Sequence, residues 1–200
     1  MYSSRVVIFR ASAPIRANAP IRPTHLSATF VVLPSAPPTA MLIIELLSLD
    51  RIVVDPDGTQ AKDKSSAIHI LADSLASGVG QPAELVEEAL QLREELGSTG
   101  VGGGVAIPHA YLADAPTHQL SLLIVPTGVE FDSIDGEPSR ILMGLVGPKS
   151  AAAAHLRALA RISRLLRDEG RRDQLMACTT PELVYDCLER MDAEIGGDDR

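Results

Sequence analysis

The sequence predicts one globular domain in which helices cover a central β-sheet. Two stretches with helical periodicity come first, three short apolar runs bounded by Pro and Gly lie in the middle, and two more helical stretches come last. At 200 residues and 46% hydrophobic composition, the chain can bury one ordinary core. Because aromatic residues make up only 3%, that core must be built from Leu, Ile, Val and Ala. This order of segments permits an α/β or an α+β domain.

The first forty residues differ in composition from the rest of the chain. They are rich in Pro and Ala and show neither helical periodicity nor sustained alternation. We therefore interpret residues 1–40 as a disordered extension or as the product of an upstream start codon, residues 41–192 as the domain and residues 193–200 as a disordered tail. No apolar run reaches the length of a membrane span, so direct membrane insertion is not expected.

The charge of the chain is unevenly distributed. The formal net charge is −8, and residues 1–40 contain four arginines and no acidic residue, which leaves −12 on residues 41–200. An acidic domain suits a basic protein partner better than it suits nucleic acid. The two cysteines, Cys178 and Cys187, are too few for a disulfide framework and indicate free thiols in a cytoplasmic protein.

The first elements follow from periodicity and from helix stop signals. The segment "MLIIELLSL" predicts a short helix or edge segment, and "RIVVD" predicts a short strand. The segment "KDKSSAIHILADSLA" predicts a helix that the glycines of "SGVGQ" end. Its apolar stripe consists of Ile68, Leu71, Ala72 and Leu75.

A second helix is predicted between Pro82, which suits a first helical position, and the stop signal Gly97. Acidic residues concentrate in its first turns, where the helix dipole favours them. We expect its apolar stripe to face the core. This stripe consists of Leu85, Ala89, Leu92 and Leu96.

The middle of the chain predicts strands. The runs "VAIP", "LSLLIVPTG" and "SRILMGLVG" are short, apolar and bounded by Pro and Gly, which is typical of strands buried on both faces. Between the last two runs, "VEFDSIDGEP" predicts an edge segment and a turn.

Two helices are predicted after the strands. Ser150 is expected to cap the first, and Thr180 and Pro181 provide the cap and first position of the second. The long first helix is expected to turn a mainly apolar stripe inward and an arginine stripe outward. The inward residues are His155, Leu159, Ile162 and Leu166, and the outward ones are Arg157, Arg161 and Arg164.

The main functional signal is the glycine-rich loop "GSTGVGGGVAIPHA", which ends in Pro108 and His109. Backbone N–H groups approach an anion closely where no Cβ intervenes. The loop lacks the Gly-Lys-Ser/Thr ending of a P-loop, and Val105 stands where a dinucleotide-binding fingerprint needs its third glycine. The histidines lack zinc-site spacing, so neither a metal nor another cofactor is expected.

These residues permit two interpretations. A neutral imidazole at a strand end can attack phosphorus, with Arg93, loop N–H groups and the hydroxyls of Ser98 or Thr99 as donors to the phosphoryl oxygens. Alternatively, His109 is an ordinary strand-end histidine and the glycines only form turns. The remaining histidines of the domain, His69 and His118, are expected to face solvent.

The segment "REELGSTGVGGGVAIPHA" closely resembles the active-site signature of the enzyme IIA domains of the bacterial phosphotransferase system, of the fructose, mannitol and nitrogen-regulatory type. The later segments "GVEFDSIDGEP", "ILMGLVGP", "AAHLRALARISRLLRDE" and "TPELVYDCL" resemble that family in order and spacing. The resemblance covers residues 42 to 188. It implies a single domain with a three-layer α/β/α sandwich and a mixed central sheet.

The resemblance also implies roles for individual residues. His109 is the phosphorylated nucleophile, which accepts a phosphoryl group from phospho-HPr or a paralogue of it. His155 matches a second histidine that orients the phosphate, and Arg93 matches an arginine that neutralises its charge. The loop residues that line the site and bind the phosphate are Ser98, Thr99 and Gly100.

The implied function is a phosphocarrier that passes the group from His109 to an enzyme IIB partner in sugar uptake. Two alternatives stay open. One is a regulatory nitrogen-type IIA, whose phosphorylation state switches binding to other proteins, and the other is a non-catalytic anion-binding module. The nitrogen-regulatory branch usually carries Gly and Lys after its histidine, whereas this chain has Ala110 and Tyr111, closer to sugar-type members.

Overall fold

The structure, a computed structural model, describes residues 42–197. Within this range, two short 3₁₀ turns, Ile43–Leu46 and Leu49–Arg51, precede a mixed arrangement of six strands and five helices. The extension predicted over residues 1–40 lies outside the described residues. The strands are β1 (Ile52–Val54), β2 (Gly100–Gly102), β3 (Val105–Ala106), β4 (His109–Tyr111), β5 (Gln119–Val129) and β6 (Ser139–Gly147). The helices are α1 (Lys64–Val79), α2 (Ala83–Glu95), α3 (Ala152–Arg167), α4 (Glu169–Met176) and α5 (Pro181–Gly197).

The strands form one mixed sheet around the antiparallel pair β5 and β6. β1 lies parallel to β5 on its outer side. β3 and β4 follow one another along the other side of β6, both parallel to it, and β2 pairs antiparallel with β3. Residues 120–125 of β5 and all of β6 except Arg140 are buried, as their continuous apolar sequences predict.

Helices cover both faces of the sheet and enclose two cores. One core combines the sheet with α3, α4, α5 and the first 3₁₀ turn, and it includes Ile43, Ile162 and Leu188. The other combines the sheet with α1 and α2, and it includes Leu71 and Leu90. The three-layer α/β/α sandwich with a mixed central sheet, which the family resemblance implies, is confirmed.

The helix α1 follows its predicted pattern. The Asp63 side chain accepts the N–H of Ser66, and the Ser66 hydroxyl accepts the N–H of Asp63, so the two residues form a capping box. Gly80 ends the helix in the left-handed conformation that glycine favours, with φ of 65°. The predicted stripe is buried throughout.

The predicted core face of α2 is wrong. Val86 and Leu90 are buried, whereas Leu85, Leu92 and Leu96 are exposed. Both sets have helical spacing, so periodicity alone does not distinguish them, and packing against α1 buries the set with Val86. Beside β4, α2 therefore leaves an exposed α2 leucine stripe, which consists of Leu85, Leu92 and Leu96.

The predicted cap of α3 is also wrong. Ser150 lies within a 3₁₀ turn, Lys149–Ala151, and the N-cap position is occupied by Ala151. Since alanine has no side-chain acceptor, no side chain at this position caps the first N–H groups of α3.

Two further expectations about the last helices need correction. Arg161, expected to face out, is buried and forms an ion pair with Asp192 of α5. The second carboxylate oxygen of Asp192 accepts the N–H of Ile44 at 3.1 Å, so this pair joins two helices to the first turn. The last helix runs to Gly197, beyond the predicted domain end at 192, and Ile195 packs in the core.

Candidate functional site

His109 begins β4 at the edge of β6. The carbonyl of Pro108 accepts the N–H of Leu145 at 2.9 Å, and His109 lies in register with Leu145. The residues Ile107 and Pro108 separate β3 from β4. At this interruption the carbonyl of Ile107 lies beside the His109 ring and accepts a hydrogen bond from Nδ1 at 2.8 Å.

Two hydrogen bonds determine the tautomer of His109. Because a carbonyl oxygen only accepts, the Nδ1 atom next to Ile107 must carry the ring proton. Because a guanidinium group only donates, Nε2 must be the unprotonated nitrogen that accepts from Nε of Arg93 at 3.2 Å. His109 therefore presents the lone pair of Nε2, its nucleophilic atom, towards Arg93.

Arg93 is positioned by the end of α2. It lies in the last turn of that helix, and its Nη1 donates to the carbonyl of Gly97 at 2.9 Å. Gly97 ends the helical turn, as predicted, with a φ of 147°. The guanidinium is thus tied to the glycine-rich loop at one nitrogen and to His109 at another, and its further N–H donors suit anionic oxygens.

His155 lies in the first turn of α3 and is 1% exposed. Its ring centroid lies 5.8 Å from that of His109, 4.5 Å from that of Tyr111 and 5.3 Å from that of His118. Within the described part of the chain, neither of its ring nitrogens has a hydrogen-bond partner. Since an unpartnered buried polar group costs about 1–3 kcal/mol, this geometry suits a group that arrives from outside the fold.

Two residues near His155, His118 and Tyr111, were not predicted from the sequence to lie at the site. The expectation that His118 faces solvent is wrong, because the residue is 7% exposed and contacts His155. Tyr111 follows His109 by two residues in β4 and therefore lies on the same face of the strand. Strand alternation could have identified Tyr111, but no signal in the sequence connects His118 with the site. We refer to His109, His155 and His118 as the histidine cluster.

Burial lowers the pKa of all three imidazoles. It lowers the pKa of His155 to about 4, with further contributions from His118 and His109. It also lowers the pKa of His109, and the charge of Arg93 acts in the same direction. The pKa of His118 is lowered by burial and by the charge of Arg157. The histidine cluster is therefore neutral at pH 7 and carries free nitrogen lone pairs.

The predicted loop residues have other hydrogen-bond partners. The Ser98 hydroxyl donates to a carbonyl of the β5–β6 loop at 2.7 Å, and the N–H of Thr99 donates to the Glu94 carboxylate at 2.9 Å. Gly100 begins β2, where a Cβ would lie 2.8 Å from the Cα of Ser133. Within residues 42–197, the hydrogen bonds of these three residues hold the loop, and none of them reaches the histidine cluster.

Glu94, near the end of α2, joins this loop to Lys64, the first residue of α1, and this contact was not predicted from the sequence. Its buried carboxylate accepts from the Thr99 hydroxyl at 2.5 Å and from Nζ of Lys64 at 2.7 Å. Lys64 also binds Asp132 at 2.9 Å. We call Glu94, Thr99 and Lys64 the Glu94 network.

His109 and His155 line an open depression of about 380 Å³. Most of its wall is apolar and comes from α2, β4 and α3. The lining residues are Ala89, Leu92, Arg93, Leu96, His109, Ala110, Tyr111, His155, Leu156 and Leu159. The depression therefore combines a nucleophilic nitrogen and one guanidinium with an apolar surround.

Within residues 42–197, no group of three or more His, Cys, Asp or Glu side chains is arranged to hold a metal ion. Among the helices of the same range, none has the length and apolar character needed to cross a membrane.

The fold and site define an α/β sandwich in which an imidazole, held by Arg93 and the Ile107 carbonyl, lies at the edge of β6. Residues 45–191 match the family model described as phosphoenolpyruvate-dependent sugar phosphotransferase system, EIIA 2, and the chain belongs to this family. This confirms the resemblance seen in the sequence. Membership implies the role of a phosphoryl-transfer carrier.

The relatives include regulatory and sugar-specific members. A nitrogen regulatory protein of Bradyrhizobium diazoefficiens is 38% identical over 148 residues, which cover 74% of this chain and 95% of the relative. The fructose-specific EIIABC component of Bacillus subtilis is 31% identical over 76% of this chain and 24% of that longer protein. The crystal structure of IIA-Ntr from Neisseria meningitidis matches with a TM-score of 0.67 at 29% identity, covering 73% of this chain and 98% of that one.

Proposed function

We propose that the protein is a cytoplasmic phosphocarrier that accepts a phosphoryl group on Nε2 of His109 from phospho-HPr or a paralogue and passes it to an enzyme IIB partner in sugar uptake. The observation that carries this proposal is the tautomer of His109. Bonds to Ile107 and Arg93 make Nε2 the nitrogen with a lone pair, and the ring lines an open depression. A neutral imidazole is the nucleophile that this transfer needs.

Transfer requires Arg93 to release Nε2 of His109 when the donor phosphohistidine enters. The lone pair of Nε2 forms a bond to phosphorus while the nitrogen–phosphorus bond of the donor breaks, and the electron pair returns to the donor imidazole. Nδ1 keeps its proton, which it donates in a hydrogen bond to the Ile107 carbonyl. The phosphorylated ring therefore carries a positive charge. This ring leaves as a neutral imidazole when the group passes to the next acceptor.

Two side chains are proposed to bind the phosphoryl oxygens. Arg93, once released from Nε2, donates its N–H groups to them, as guanidinium groups do to phosphate. His155 has two unpartnered nitrogens beside His109 and lies at the positive end of α3. Ser98, Thr99 and Gly100 are assigned to loop geometry, because the Thr99 carbonyl accepts the N–H of Ile107 at 3.0 Å and so helps to place the carbonyl that holds His109.

The surface around His109 supports a protein donor rather than a small molecule. Leu92 and Leu96 of the α2 leucine stripe and Leu156 of α3 are exposed and line the depression. Apolar groups of this kind around a reactive residue favour burial against another protein. The net charge of −12 on residues 41–200, from the total of −8 and four tail arginines, favours a basic partner. The free thiols Cys178 and Cys187 support a reducing compartment.

A regulatory protein is the second candidate, which the relatives named as nitrogen regulatory proteins favour. In this case phosphorylation of His109 switches binding to a target protein, and the group is not passed on. The two candidate functions differ in whether phosphorylated His109 passes its phosphoryl group to a IIB protein. Mixed with a fructose-type IIB, the phosphorylated protein loses its phosphoryl group if it serves sugar uptake and keeps it if its role is regulatory.

The test is phosphoryl transfer from phosphoenolpyruvate, through enzyme I and HPr, followed by intact mass measurement at alkaline pH. We expect the wild type to gain one phosphoryl group and His109→Gln to gain none. His69→Gln, which removes an exposed histidine, is the matched control and should gain one group. A folded wild type that gains none from active phospho-HPr would overturn the proposal and leave an anion-binding module.

A further inference from the structure

The histidine cluster contains every buried side-chain nitrogen or oxygen that lacks a hydrogen-bond partner in residues 42–197. These atoms are Nδ1 and Nε2 of His155 and Nε2 of His118. The proposed phosphoryl group on His109 accounts for one nitrogen of His155, since the two rings are neighbours. The other nitrogen of His155 and the Nε2 atom of His118 are left without a partner.

The backbone places His118 against His155. The two ring centroids lie 5.3 Å apart, and the ring planes are tilted by 46°. A Cβ on residue 147 would lie 2.2 Å from Cδ2 and 2.7 Å from Nε2 of His118, so the ring fits there because residue 147 is glycine. Gly147 pairs with Tyr111 in the sheet, which fixes the backbone under the ring. Burial of a polar ring is unfavourable unless it binds something, so this placement indicates a role.

We infer that His118 is a positioning residue for His155. Its Nε2 hydrogen-bonds the His155 nitrogen that the phosphoryl group does not use, either after a small rotation of the rings or through one water molecule. Each neutral imidazole has one donor and one acceptor, so this bond decides which nitrogen of His155 carries the proton. The inference rests on the proposed function, because the phosphoryl group on His109 is the ligand that His155 then meets.

The tautomer matters because phosphoryl oxygens only accept hydrogen bonds. When Nε2–H of His118 donates to one nitrogen of His155, the proton of His155 lies on the other nitrogen and can be donated to the phosphoryl group. When the pair takes up one more proton, His155 becomes an imidazolium and His118 becomes the acceptor. His118 therefore supports His155 in both protonation states.

The groups around the pair determine when that proton is taken up. The cations Arg93 of α2 and Arg157 of α3 oppose protonation of the cluster. Tyr111 of β4 contacts the His155 ring, and Glu94 favours protonation at His109. The phosphoryl dianion adds negative charge next to His155, so phosphorylation is expected to increase proton binding by the pair.

The test compares His118→Phe, which keeps a ring and removes both nitrogens, with His118→Gln, whose amide both donates and accepts. We expect His118→Phe to accept the phosphoryl group about 10–100-fold more slowly at saturating phospho-HPr, because a hydrogen bond to a charged group is lost. KM for phospho-HPr should not change, the acidic limb of the pH profile should move, and His118→Gln should recover most of the rate. His69→Phe is the matched control and should behave as the wild type.

The nitrogen-15 NMR signals of His155 in the phosphorylated protein report its tautomer directly. They would not change if His118 only stabilised the fold. We expect one tautomer in the wild type and a mixture in His118→Phe. If His118→Phe does not fold, Gly147→Ala, which displaces the same ring without changing its chemistry, should give the slow, pH-shifted reaction. If the wild type is phosphorylated and His118→Phe has the same rate, pH profile and tautomer, this inference is overturned, but the proposed function is not. A wild type that accepts no phosphoryl group overturns both.

Discussion

Two polar clusters meet at the end of α2, where the consecutive residues Arg93 and Glu94 each contact one of them. Glu94 belongs to the Glu94 network, where the carboxylate binds the N–H and hydroxyl of Thr99 and the ammonium of Lys64. Arg93 faces the histidine cluster, where three buried nitrogens have no partner within residues 42–197. One helix end thus contacts a polar cluster whose hydrogen bonds are made within the fold and another whose buried nitrogens have no partner there.

The difference separates structural from functional polar groups. A buried carboxylate whose hydrogen bonds are made stabilises the loop that it binds. A buried imidazole whose nitrogens are free destabilises the protein until a ligand arrives. Changes in the Glu94 network should therefore affect stability first, and changes in the histidine cluster should affect phosphoryl transfer first.

The largest effect is expected for Arg93→Met. The variant loses the donors proposed for the phosphoryl oxygens, so phosphoryl acceptance should slow by about 10²–10³-fold, as when one preorganised donor is removed. Its urea unfolding midpoint should change little, because Arg93 is only half-buried. Arg93→Lys keeps the charge but lacks the planar donor fork, and its rate should lie between the two. Equal rates of phosphoryl acceptance in the wild type and both variants would contradict a role for Arg93 in binding the phosphoryl group.

Glu94→Ala should have the next largest effect. It should change the stability of the protein, whereas Arg93→Met should change the rate of phosphoryl acceptance. The N–H and hydroxyl of Thr99 lose their acceptor, and the free energy of unfolding should fall by about 3 kcal/mol. Urea denaturation measures this change. Glu95→Ala removes the exposed neighbouring carboxylate and should change the free energy by less than about 0.5 kcal/mol. A similar loss in both variants would contradict the assignment of the Glu94 network as structural.

Much of the fold and part of the site could be predicted from the sequence. The runs that became β5 and β6 are continuous and apolar, which strands buried on both faces require. Gly97 and Gly80 mark helix ends by their conformation. His109 and Arg93 were identified, and the structure brings them into contact at 3.2 Å.

The errors arise where tertiary contacts decide between equal local patterns. On α2, packing selected Val86 and Leu90 over leucines with the same spacing. Arg161 is buried because Asp192, 31 residues away, pairs with it. His118 reaches the site because β6 ends in a glycine beneath it, a contact between distant segments that no local rule expresses.

Acid should weaken the fold through the histidine cluster. The folded pKa of His155 is about 4, below the ordinary value of 6.5, so the unfolded chain binds more protons between these two values. The free energy of unfolding therefore falls by about 3 kcal/mol in total as the pH falls from about 6.5 towards 4, because the folded protein does not bind the proton that the unfolded chain takes up. The lowered pKa values of His109 and His118 act with the same sign. Urea denaturation at several pH values measures the slope, which should be shallower in His155→Leu and unchanged in Glu95→Ala.

The smallest expected effect is a gain in stability from His155→Leu, and it distinguishes the two clusters most directly. Leucine has a similar volume, keeps the packing against Tyr111 and removes two unpartnered buried nitrogens, so the free energy of unfolding at pH 7 should rise by about 1–2 kcal/mol. The same variant should lose most phosphoryl acceptance, because the proposed donor to the phosphoryl group is gone. In the Glu94 network, Glu94→Leu should instead destabilise the protein, since Thr99 keeps its polar groups and loses their acceptor. If His155→Leu also destabilised the protein, His155 would have a structural partner, and the contrast between the clusters would fail.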